Sequence, residues 1–323
     1  MRPQTNLRAR WPRAAAMGVL TTGIAFTAAT PLVAAVAGAA DAPPAISVRH
    51  ATIPYGHAVE VDGRAAGSQS GHQAALEYGS GRAAWRVVET TTVDGSGRYH
   101  LAARLPRSGS VRVAVGDVSA VRAASTADAS TVQRSAPQRV AVAANVTASA
   151  RKLDVLGGET ATVAGRIRPG GAGRLVRLER RGRHDWRAVA RDRTDRSGRY
   201  ALRYRTHGTG IADVRVMFLG DSANAATVRH VGRLRTYRQS LASRYDAYGS
   251  ALACGGALAY DAMVVANKSL PCGTHLTIRY HGHVANAVVR DRGPYAGGRE
   301  FDLAGAVARK LGFNGVGTIW VTS

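Results

Sequence analysis

Short runs in which apolar and polar residues alternate fill the middle and the end of this chain. Residues 174–180 and 186–190 are two such runs, and Gly, Ser and Asp residues stand between them. A period of two turns one face of a strand toward a core and the other toward solvent, whereas Gly, Ser and Asp favour turns. The pattern therefore predicts an all-β protein built from short strands.

The clearest pair of strands lies near the C-terminus. Residues 274–280 alternate, His281-Gly282 follows, and residues 283–290 alternate again. Two alternating runs joined by two turn-forming residues predict a β-hairpin. Residues 318–321 predict a further strand that closes the domain.

One short segment has the spacing of a helix instead. Apolar residues recur at helical intervals over residues 303–311, and Gly312 follows at the position where helices often end. Asp302 stands directly before this segment. We therefore expect Asp302 to cap the helix N-terminus, with a catalytic role as the alternative.

The middle of the chain contains an internal repeat. Each copy has a glycine, a tryptophan and a turn ending in Ser-Gly-Arg-Tyr. The matching marks are Gly63, Trp85 and residues 95–99 in the first copy, and Gly165, Trp186 and residues 196–200 in the second. Strand-rich units of about 95 residues are most simply β-sandwiches, and these resemble the immunoglobulin-like modules of bacterial surface proteins. We expect the repeated Trp and Tyr rings to lie in the cores, sugar binding being the alternative.

The first forty residues differ in composition from the rest. Four arginines precede an uncharged Ala-rich run that reaches Ala37-Gly38-Ala39 just before the first acid, Asp41. A basic start, an apolar run and a small-residue site are typical of a cleaved secretory signal peptide. We therefore expect a secreted or cell-wall-associated protein with no stable membrane anchor. An uncleaved anchor is the alternative, because the run approaches the length of a membrane-spanning helix.

Three domains are expected after the signal peptide. Ser and Ala are frequent in residues 122–137, and residues 233–238 lead into the C-terminal segment, so both are expected to be exposed connections. The expected organisation is a signal peptide at 1–40, β-sandwiches at 41–137 and 138–235, and a last domain at 236–323.

The chain is strongly basic, with a formal net charge of +23. Without the four arginines of the expected signal peptide, 40 Lys and Arg face 21 Asp and Glu. Such an excess favours polyanionic partners. Aromatic residues make up only 6%, so stacking platforms for nucleic acid are not evident, and anionic wall polymers suit an exported chain better. The alternative is an arginine-rich surface that is merely solvated.

The two cysteines, Cys254 and Cys272, both lie in the C-terminal segment. An even number of cysteines in an exported chain predicts one disulfide. A zinc site is the weaker alternative, because two thiols without His or carboxylate at ligand spacing make a poor metal site.

A single acid ends a β-branched run of the C-terminal segment. Asp291 follows Val-Val-Arg at 288–290 and precedes Arg-Gly-Pro-Tyr at 292–295. A carboxylate at a strand end between two arginines is positioned for proton transfer or for binding a polar substrate. Strand alternation is expected to turn Arg290 and Arg292 away from the face of Asp291.

Several segments around Asp291 resemble a known family. They are residues 242–245, 265–274, 288–295 and 298–303. In this order and at this spacing they resemble the double-psi β-barrel of the rare lipoprotein A family, relatives of the expansin barrel, over about residues 238–323. The resemblance implies a six-stranded barrel with one short helix.

The resemblance also implies an activity. Enzymes of the family are lytic transglycosylases that cleave the bond between N-acetylmuramic acid and N-acetylglucosamine in peptidoglycan, and the position of their acid is Asp291. No cofactor and no metal are implied. Three positions depart from the pattern, since Asn267 stands where His is usual, Arg244 where Trp is common and Asp246 where Gly is common. The alternative is a non-catalytic, expansin-like protein that binds or loosens wall glycan.

Other residues are carried over from the same motifs. Asn267 stands where the family usually has His, and we expect it to support Asp291 without titrating. Lys268 and Arg292 are expected to bind substrate, and Tyr245 and Tyr295 are candidates for stacking on a sugar.

Overall fold

The computed structural model describes residues 42–117, 132–295 and 297–323. The expected signal peptide and most of the expected Ser/Ala-rich connection lie outside these residues. In the described ranges strands dominate, beside one turn of 3-10 helix at Gly67–Gln69 and one short α-helix, so the all-β prediction is confirmed. No helix in those ranges combines the length and apolar character needed to cross a bilayer.

The first sandwich has two sheets that share one core. Its strands in the described residues are β1 (Ala45–Val48), β2 (Thr52–Pro54), β3 (Ala58–Arg64), β4 (Gln73–Gly79), β5 (Arg86–Thr92), β6 (Arg98–Arg104), β7 (Gly109–Gly116), β8 (Gln133–Arg134) and β9 (Gln138–Ala143). One sheet has the order β1-β3-β6 and the other β2-β9-β7-β4-β5, with β8 beside β7. Side chains from both sheets, such as Val61 and Val113, fill the core between them.

The second sandwich repeats this arrangement. Its strands are β10 (Asn145–Lys152), β11 (Asp154–Leu156), β12 (Thr160–Arg168), β13 (Leu175–Arg181), β14 (Trp186–Arg193), β15 (Arg199–Arg205), β16 (Gly210–Phe218) and the first part of β17 (Thr227–Tyr245). One sheet has the order β10-β12-β15, and the other has β14-β13-β16-β17 with β11 beside β17. Val163 and Val216 from the two sheets lie in its core.

The repeated glycine and tyrosine form a cross-strand pair in both sandwiches. Gly63 of β3 pairs with Tyr99 of β6, and Gly165 of β12 pairs with Tyr200 of β15. Each tyrosine is buried in a core and lies over its glycine, where any side chain would collide with the ring. The prediction that the tyrosines are core residues is confirmed, and the glycine is required because only hydrogen fits beneath the ring.

The repeated turn before each tyrosine is closed by an aspartate. Asp94 Oδ1 accepts hydrogen bonds from the backbone N–H groups of Ser96 and Arg98 at 2.8 and 2.9 Å. Asp195 accepts the matching bonds from residues 197 and 199. Bonds to the charged form hold the pKa of both carboxyl groups below the ordinary value.

The repeated tryptophans contradict the core prediction. Trp85 is half-buried on the outer side of its sheet, where the Arg112 guanidinium stacks on it at 4.2 Å and also bonds Glu77 at 2.6 Å. The second copy has the same three side chains, Trp186, Arg215 and Glu179. The prediction was wrong because a cation–π partner and a paired carboxylate cover the ring without a core around it.

The C-terminal domain is a closed six-stranded barrel. After β17 come β18 (Val264–Asn267), β19 (His275–Tyr280), β20 (His283–Asp291), β21 (Phe301–Ala304), helix α1 (Gly305–Leu311) and β22 (Val316–Thr322). The order is β17-β21-β18-β20-β19-β22, and β22 pairs with β17 again to close the barrel. Val265, Ile278 and Leu303 are among the side chains that fill its core.

Strand β17 runs without interruption from the second sandwich into the barrel. Its first part pairs with β16, and its second part pairs with β21 and β22. The expected exposed connection at 233–238 is therefore wrong. Leu234 and Tyr237 are buried, and their burial on the two sides of the junction holds this segment in the strand.

The hairpin and the end of the helix agree with the sequence. His281 and Gly282 both have positive φ, at 45° and 91°, as the tight turn between β19 and β20 requires. Helix α1 ends at Gly312 in the left-handed conformation. The expected cap by Asp302 is wrong, because Asp302 lies inside β21 and Ala304 stands at the N-cap with no side-chain bond. Pairing of β21 with both β17 and β18 places Asp302 in the sheet.

Candidate functional site

Four side-chain positions line up across neighbouring barrel strands. Ala266 of β18 pairs with Asp302 of β21 on one side and with Asp291 of β20 on the other, and Ser243 of β17 pairs with Asp302. Directly paired residues point to the same face of a sheet. The two carboxylates therefore flank one small alanine, with Cα atoms about 9–10 Å apart, which is two strand spacings. We call this row and its surroundings the groove.

A one-residue irregularity in β20 determines the direction of Asp291. Val289 pairs with Val265 and lies in the barrel core, but the register shifts at the next step, so that Ala266 pairs with Asp291 and Arg290 is passed over. Regular alternation would have turned Asp291 to the core side with Val289. Bulges often re-aim a side chain in this way next to functional sites.

Asp291 is half-buried and is held by backbone groups. Its Oδ1 accepts hydrogen bonds from the N–H groups of Ala253 at 3.0 Å and Arg292 at 2.8 Å. The neighbouring guanidinium groups donate elsewhere, Arg290 to the Gly255 carbonyl and Arg292 to carbonyls of the loop after β18. Within the described part of the chain, no cationic side chain forms an ion pair with Asp291.

Tyr245 lies at the end of β17 beside both carboxylates. Burial raises the pKa of its hydroxyl, and the negative charges of Asp291 and Asp302 raise it further. The hydroxyl oxygen is buried and lies near Asp291, but it forms no well-aligned hydrogen bond with any described residue. Tyr245 therefore offers a protonated donor without a fixed acceptor next to the two acids.

Asn267 does not present its amide to the groove. The side chain is 1% exposed and donates from Nδ2 to the Glu300 carbonyl at 3.1 Å. Its Oδ1 accepts from the N–H groups of Ser269 and Leu270 at 3.0 and 2.8 Å. These bonds fold the loop after β18, and Lys268 is exposed on that loop.

Arg292 holds the same loop from the other side. Its guanidinium donates to the carbonyls of Asn267 and Leu270 at 3.1 and 2.9 Å and contacts Cys272 Sγ at 3.2 Å. Tyr295 lies farther along and is 80% exposed, so its side chain is accessible to a sugar. The structure thus brings Asp291 and Tyr245 together with Asp302, while Asn267 and Arg292 support the loop that borders them.

The predicted disulfide is confirmed. Cys254 and Cys272 are bonded, with Cα atoms 5.9 Å apart. The bridge joins the loop after β17 to the loop after β18, and Ala253, which donates to Asp291, is the neighbour of Cys254. A closed loop of this length stabilises the fold by about 3 kcal/mol in the loop-entropy model.

Two of the three departures from the family pattern, Arg244 and Asp246, interact with each other. Arg244 Nε donates to Asp246 at 2.7 Å, and the Tyr248 hydroxyl also donates to Asp246 at 2.6 Å. Tyr248 in turn lies 5.1 Å from the ring of Tyr260, which is largely exposed. These two exposed rings were not singled out from the sequence, because neither belongs to a recognisable motif.

The barrel matches the family model described as "Lytic transglycolase" over residues 238–323. Over these residues the chain is similar to that family, and its closed six-stranded barrel with one short helix agrees with a double-psi β-barrel. The described residues contain no group of three or more His, Cys, Asp or Glu side chains placed to hold a metal ion.

A curated relative matches the same end of the chain. The protein named "Probable endolytic peptidoglycan transglycosylase RlpA" from Synechocystis sp. is 33% identical over 101 residues, which is 29% of this chain. The match spans 30% of that relative's length.

Solved structures are similar to different parts of the chain. The Streptomyces papain inhibitor is 23% identical and covers 27% of this chain and 94% of its own, with a TM-score of 0.22. A tetra-tandem repeat from the extending region of a large adhesion protein is 16% identical and covers 80% of this chain and 64% of its own, with a TM-score of 0.31.

Proposed function

We propose that this protein cleaves peptidoglycan as a lytic transglycosylase, with Asp291 as general acid and then general base. The observation that carries the proposal is the setting of Asp291. Its carboxylate is half-buried, is positioned by two N–H groups, has no cationic partner among the described residues and lies beside Asp302 and Tyr245. The family match and the RlpA relative support peptidoglycan as the substrate.

The reaction needs only one group that both donates and accepts a proton. Protonated Asp291 gives its proton to the leaving O4 of N-acetylglucosamine as the bond from C1 of N-acetylmuramic acid to that oxygen breaks. The C6 hydroxyl of the same muramic acid then attacks C1, and Asp291 takes the hydroxyl proton. The products are a 1,6-anhydromuramyl end and a free O4 hydroxyl, and Asp291 returns to its starting state.

The neighbouring groups have roles that fit this scheme. The protonated hydroxyl of Tyr245 is placed to donate to a sugar oxygen, and Tyr295 and Lys268 lie at exposed positions where glycan can be stacked and bound. Asn267 and Arg292 act as positioning residues through the loop after β18.

A second candidate follows from the spacing of the two acids. Inverting glycosidases place two carboxyl groups about 6.5–9.5 Å apart, so that one activates water while the other protonates the leaving oxygen. Cα atoms two strand spacings apart allow this separation for Asp291 and Asp302. In that case the protein hydrolyses the bond and leaves an ordinary reducing end.

Product analysis separates the possibilities. Purified peptidoglycan is incubated with the full-length protein, and the soluble fragments are identified by mass spectrometry before and after borohydride reduction. We expect 1,6-anhydromuramyl ends, which resist reduction. Fragments with reducing ends would contradict the transglycosylase proposal and support the hydrolase. Glycan that is bound but not cleaved would support the expansin-like binding function.

The expected site of action is the cell wall. Export and processing near Ala40 or Asp41 follow from the composition of residues 1–40. The N-terminal sequence of protein recovered from the medium or the wall tests this proposal, and recovery of an intact N-terminus from either would contradict it.

A further inference from the structure

A basic cleft lies where the second sandwich joins the barrel. It has a volume of about 450 Å³. Five cationic side chains and one carboxylate line it, namely Arg151, Lys152, Arg233, Arg235, Arg279 and Asp154. The cations come from three different parts of the fold, since β10, β17 and β19 each contribute.

Asp154 organises the cleft. Its two carboxylate oxygens lie 3.5 Å from Arg235 and 3.5 Å from Arg279, and its Oδ1 also accepts the Tyr237 hydroxyl at 3.0 Å. One carboxylate thus fixes two guanidinium groups through single long contacts. Most of their N–H donors remain available, because a guanidinium carries five.

Two further arginines have no acidic partner among the described residues. Arg151 and Arg233 are both exposed at the cleft and take part in no ion pair there. Lys152 is paired with Glu159 at 3.1 Å. The cleft therefore holds more positive charge than its acids neutralise, which is the setting expected of an anion site.

The charge is concentrated in this part of the protein. Residues 144–237 contain 20 Lys and Arg against 8 Asp and Glu, whereas residues 41–143 contain 11 against 8. The two sandwiches have the same framework, and both need a soluble surface. Solubility alone therefore does not explain why the net charge is +12 in the second sandwich and +3 in the first.

We propose that the cleft binds the phosphodiester backbone of an anionic polyol-phosphate polymer. Guanidinium groups match phosphate oxygens in geometry and bind them through charge-assisted hydrogen bonds. Among the described residues no aromatic ring lines the cleft, so they offer no platform for a nucleobase there. The choice of a wall polymer over other phosphodiesters rests on the proposed action at the cell wall.

The cleft and the groove are connected by one strand. Arg235 of the cleft and Tyr245 of the groove both belong to β17, so they are at most about 33 Å apart at 3.3 Å per residue. Polymer bound at the cleft would therefore hold the groove close to the glycan to which such polymers are attached.

The test compares two double variants of the full-length protein. Arg151→Gln/Arg233→Gln removes the two unpaired arginines of the cleft. Arg183→Gln/Arg196→Gln removes the same charge from exposed positions elsewhere in the second sandwich. Binding to synthetic poly(glycerol phosphate) is measured by titration calorimetry over a range of salt concentrations, with single-stranded DNA of equal charge as a competitor.

We expect the cleft variant to bind the polymer about tenfold more weakly and with a shallower salt dependence, because two charge-assisted contacts are lost. The control variant should remain within about twofold of the wild type, since the bulk net charge alone has a screened effect. Equal weakening of both variants would overturn the proposal in favour of unspecific attraction. DNA that binds the cleft more tightly than the polymer would overturn it in favour of a nucleic-acid site; Arg279 also borders Tyr280 and Trp320, whose rings would then hold the bases.

Digestion of peptidoglycan stripped of anionic polymer separates this proposal from the proposed function. The cleft variant should release fragments from it as fast as the wild type. If the wild type releases none, the enzymatic proposal fails while the binding result stands on its own.

Discussion

Two tyrosines of strand β17, eight residues apart, each lie beside an aspartate, and the two pairs differ in what surrounds the acid. Tyr237 donates to Asp154 at 3.0 Å, and two arginines share the same carboxylate. Tyr245 lies near Asp291, whose Oδ1 accepts two backbone N–H groups and which forms no ion pair among the described residues. The pKa of both tyrosines is raised, chiefly by burial.

The difference shows how one strand supports two kinds of acid. Asp154 is held by two guanidinium groups and by the Tyr237 hydroxyl, and these contacts make it part of the framework. Asp291 keeps hydrogen-bonding capacity for a ligand, because no side-chain cation in the described ranges forms an ion pair with it. A structural carboxylate and a candidate catalytic one are thus distinguished by their partners and not by their burial alone.

The largest expected effect comes from exchanging each acid for its amide. Asp291→Asn should lower peptidoglycan cleavage by about 10²- to 10⁴-fold, the usual contribution of a general acid or base. Asp154→Asn should leave the cleavage rate unchanged and lower the thermal midpoint, since two arginines lose their shared partner. Rates on purified peptidoglycan and thermal unfolding of both variants measure this contrast. An equal loss of cleavage in both variants would mean that the activity falls because the fold is destabilised, and not because Asp291 takes part in the reaction.

A smaller effect is expected at the loop that borders Asp291. Asn267→Ala removes three hydrogen bonds from a buried amide and should lower the free energy of unfolding by about 2–3 kcal/mol. Urea unfolding measures the loss, and Lys268→Ala on the same loop is the exposed control. Unchanged stability with lost cleavage would instead assign Asn267 a direct contact with the substrate.

Removal of the two tyrosine hydroxyls tests the comparison directly. Tyr237→Phe should lower the free energy of unfolding by about 1 kcal/mol, because the bond to Asp154 is lost. Tyr245→Phe should leave it unchanged or raise it slightly, since the hydroxyl is buried without an acceptor, yet it should slow cleavage. Chemical denaturation and cleavage rates are the two measurements. A larger stability loss for Tyr245→Phe than for Tyr237→Phe would contradict the assignment.

The smallest effect concerns a third barrel acid. A hydrogen bond from Arg238 lowers the pKa of Glu300, so this contact stabilises the fold above the unfolded-state pKa and is lost as the pH falls through the lowered value. Glu300→Gln should therefore cost less than about 1 kcal/mol at pH 7, and the difference from the wild type should vanish in acid. Urea unfolding at pH 7 and at pH 3 measures it. A difference that persists at pH 3 would indicate lost packing and not lost charge.

Much of the barrel could be predicted because its turns, its helix end and its disulfide depend on residues that are close in sequence or belong to a known motif. His281-Gly282 marks the hairpin turn, Gly312 marks the end of the helix, and the two cysteines allow one pairing. The repeated Gly and Tyr marks indicated two related sandwiches, although the reason for the glycine became clear only when Gly63 was found beneath Tyr99.

The remaining features depend on pairings between distant strands. The irregularity at Arg290 determines on which face of the sheet the Asp291 side chain lies. No residue type in that segment predicts such an irregularity. Asp302 satisfied the local pattern of a helix cap, but sheet pairing took precedence over it. The repeated tryptophans were misplaced for a similar reason, because Arg112 and its counterpart come from a strand far away in the sequence.

The uninterrupted course of β17 has a consequence for how the protein would travel over its substrate. Domains joined by a flexible linker can swing around an anchor and search a volume set by the linker length. Here no such linker separates the basic cleft from the groove, so an anchored molecule can work only on glycan within a fixed radius. Movement along the wall would then require the basic cleft to release its polymer and to bind it again elsewhere. Tighter binding of the polymer would therefore slow the cleavage of successive glycan bonds.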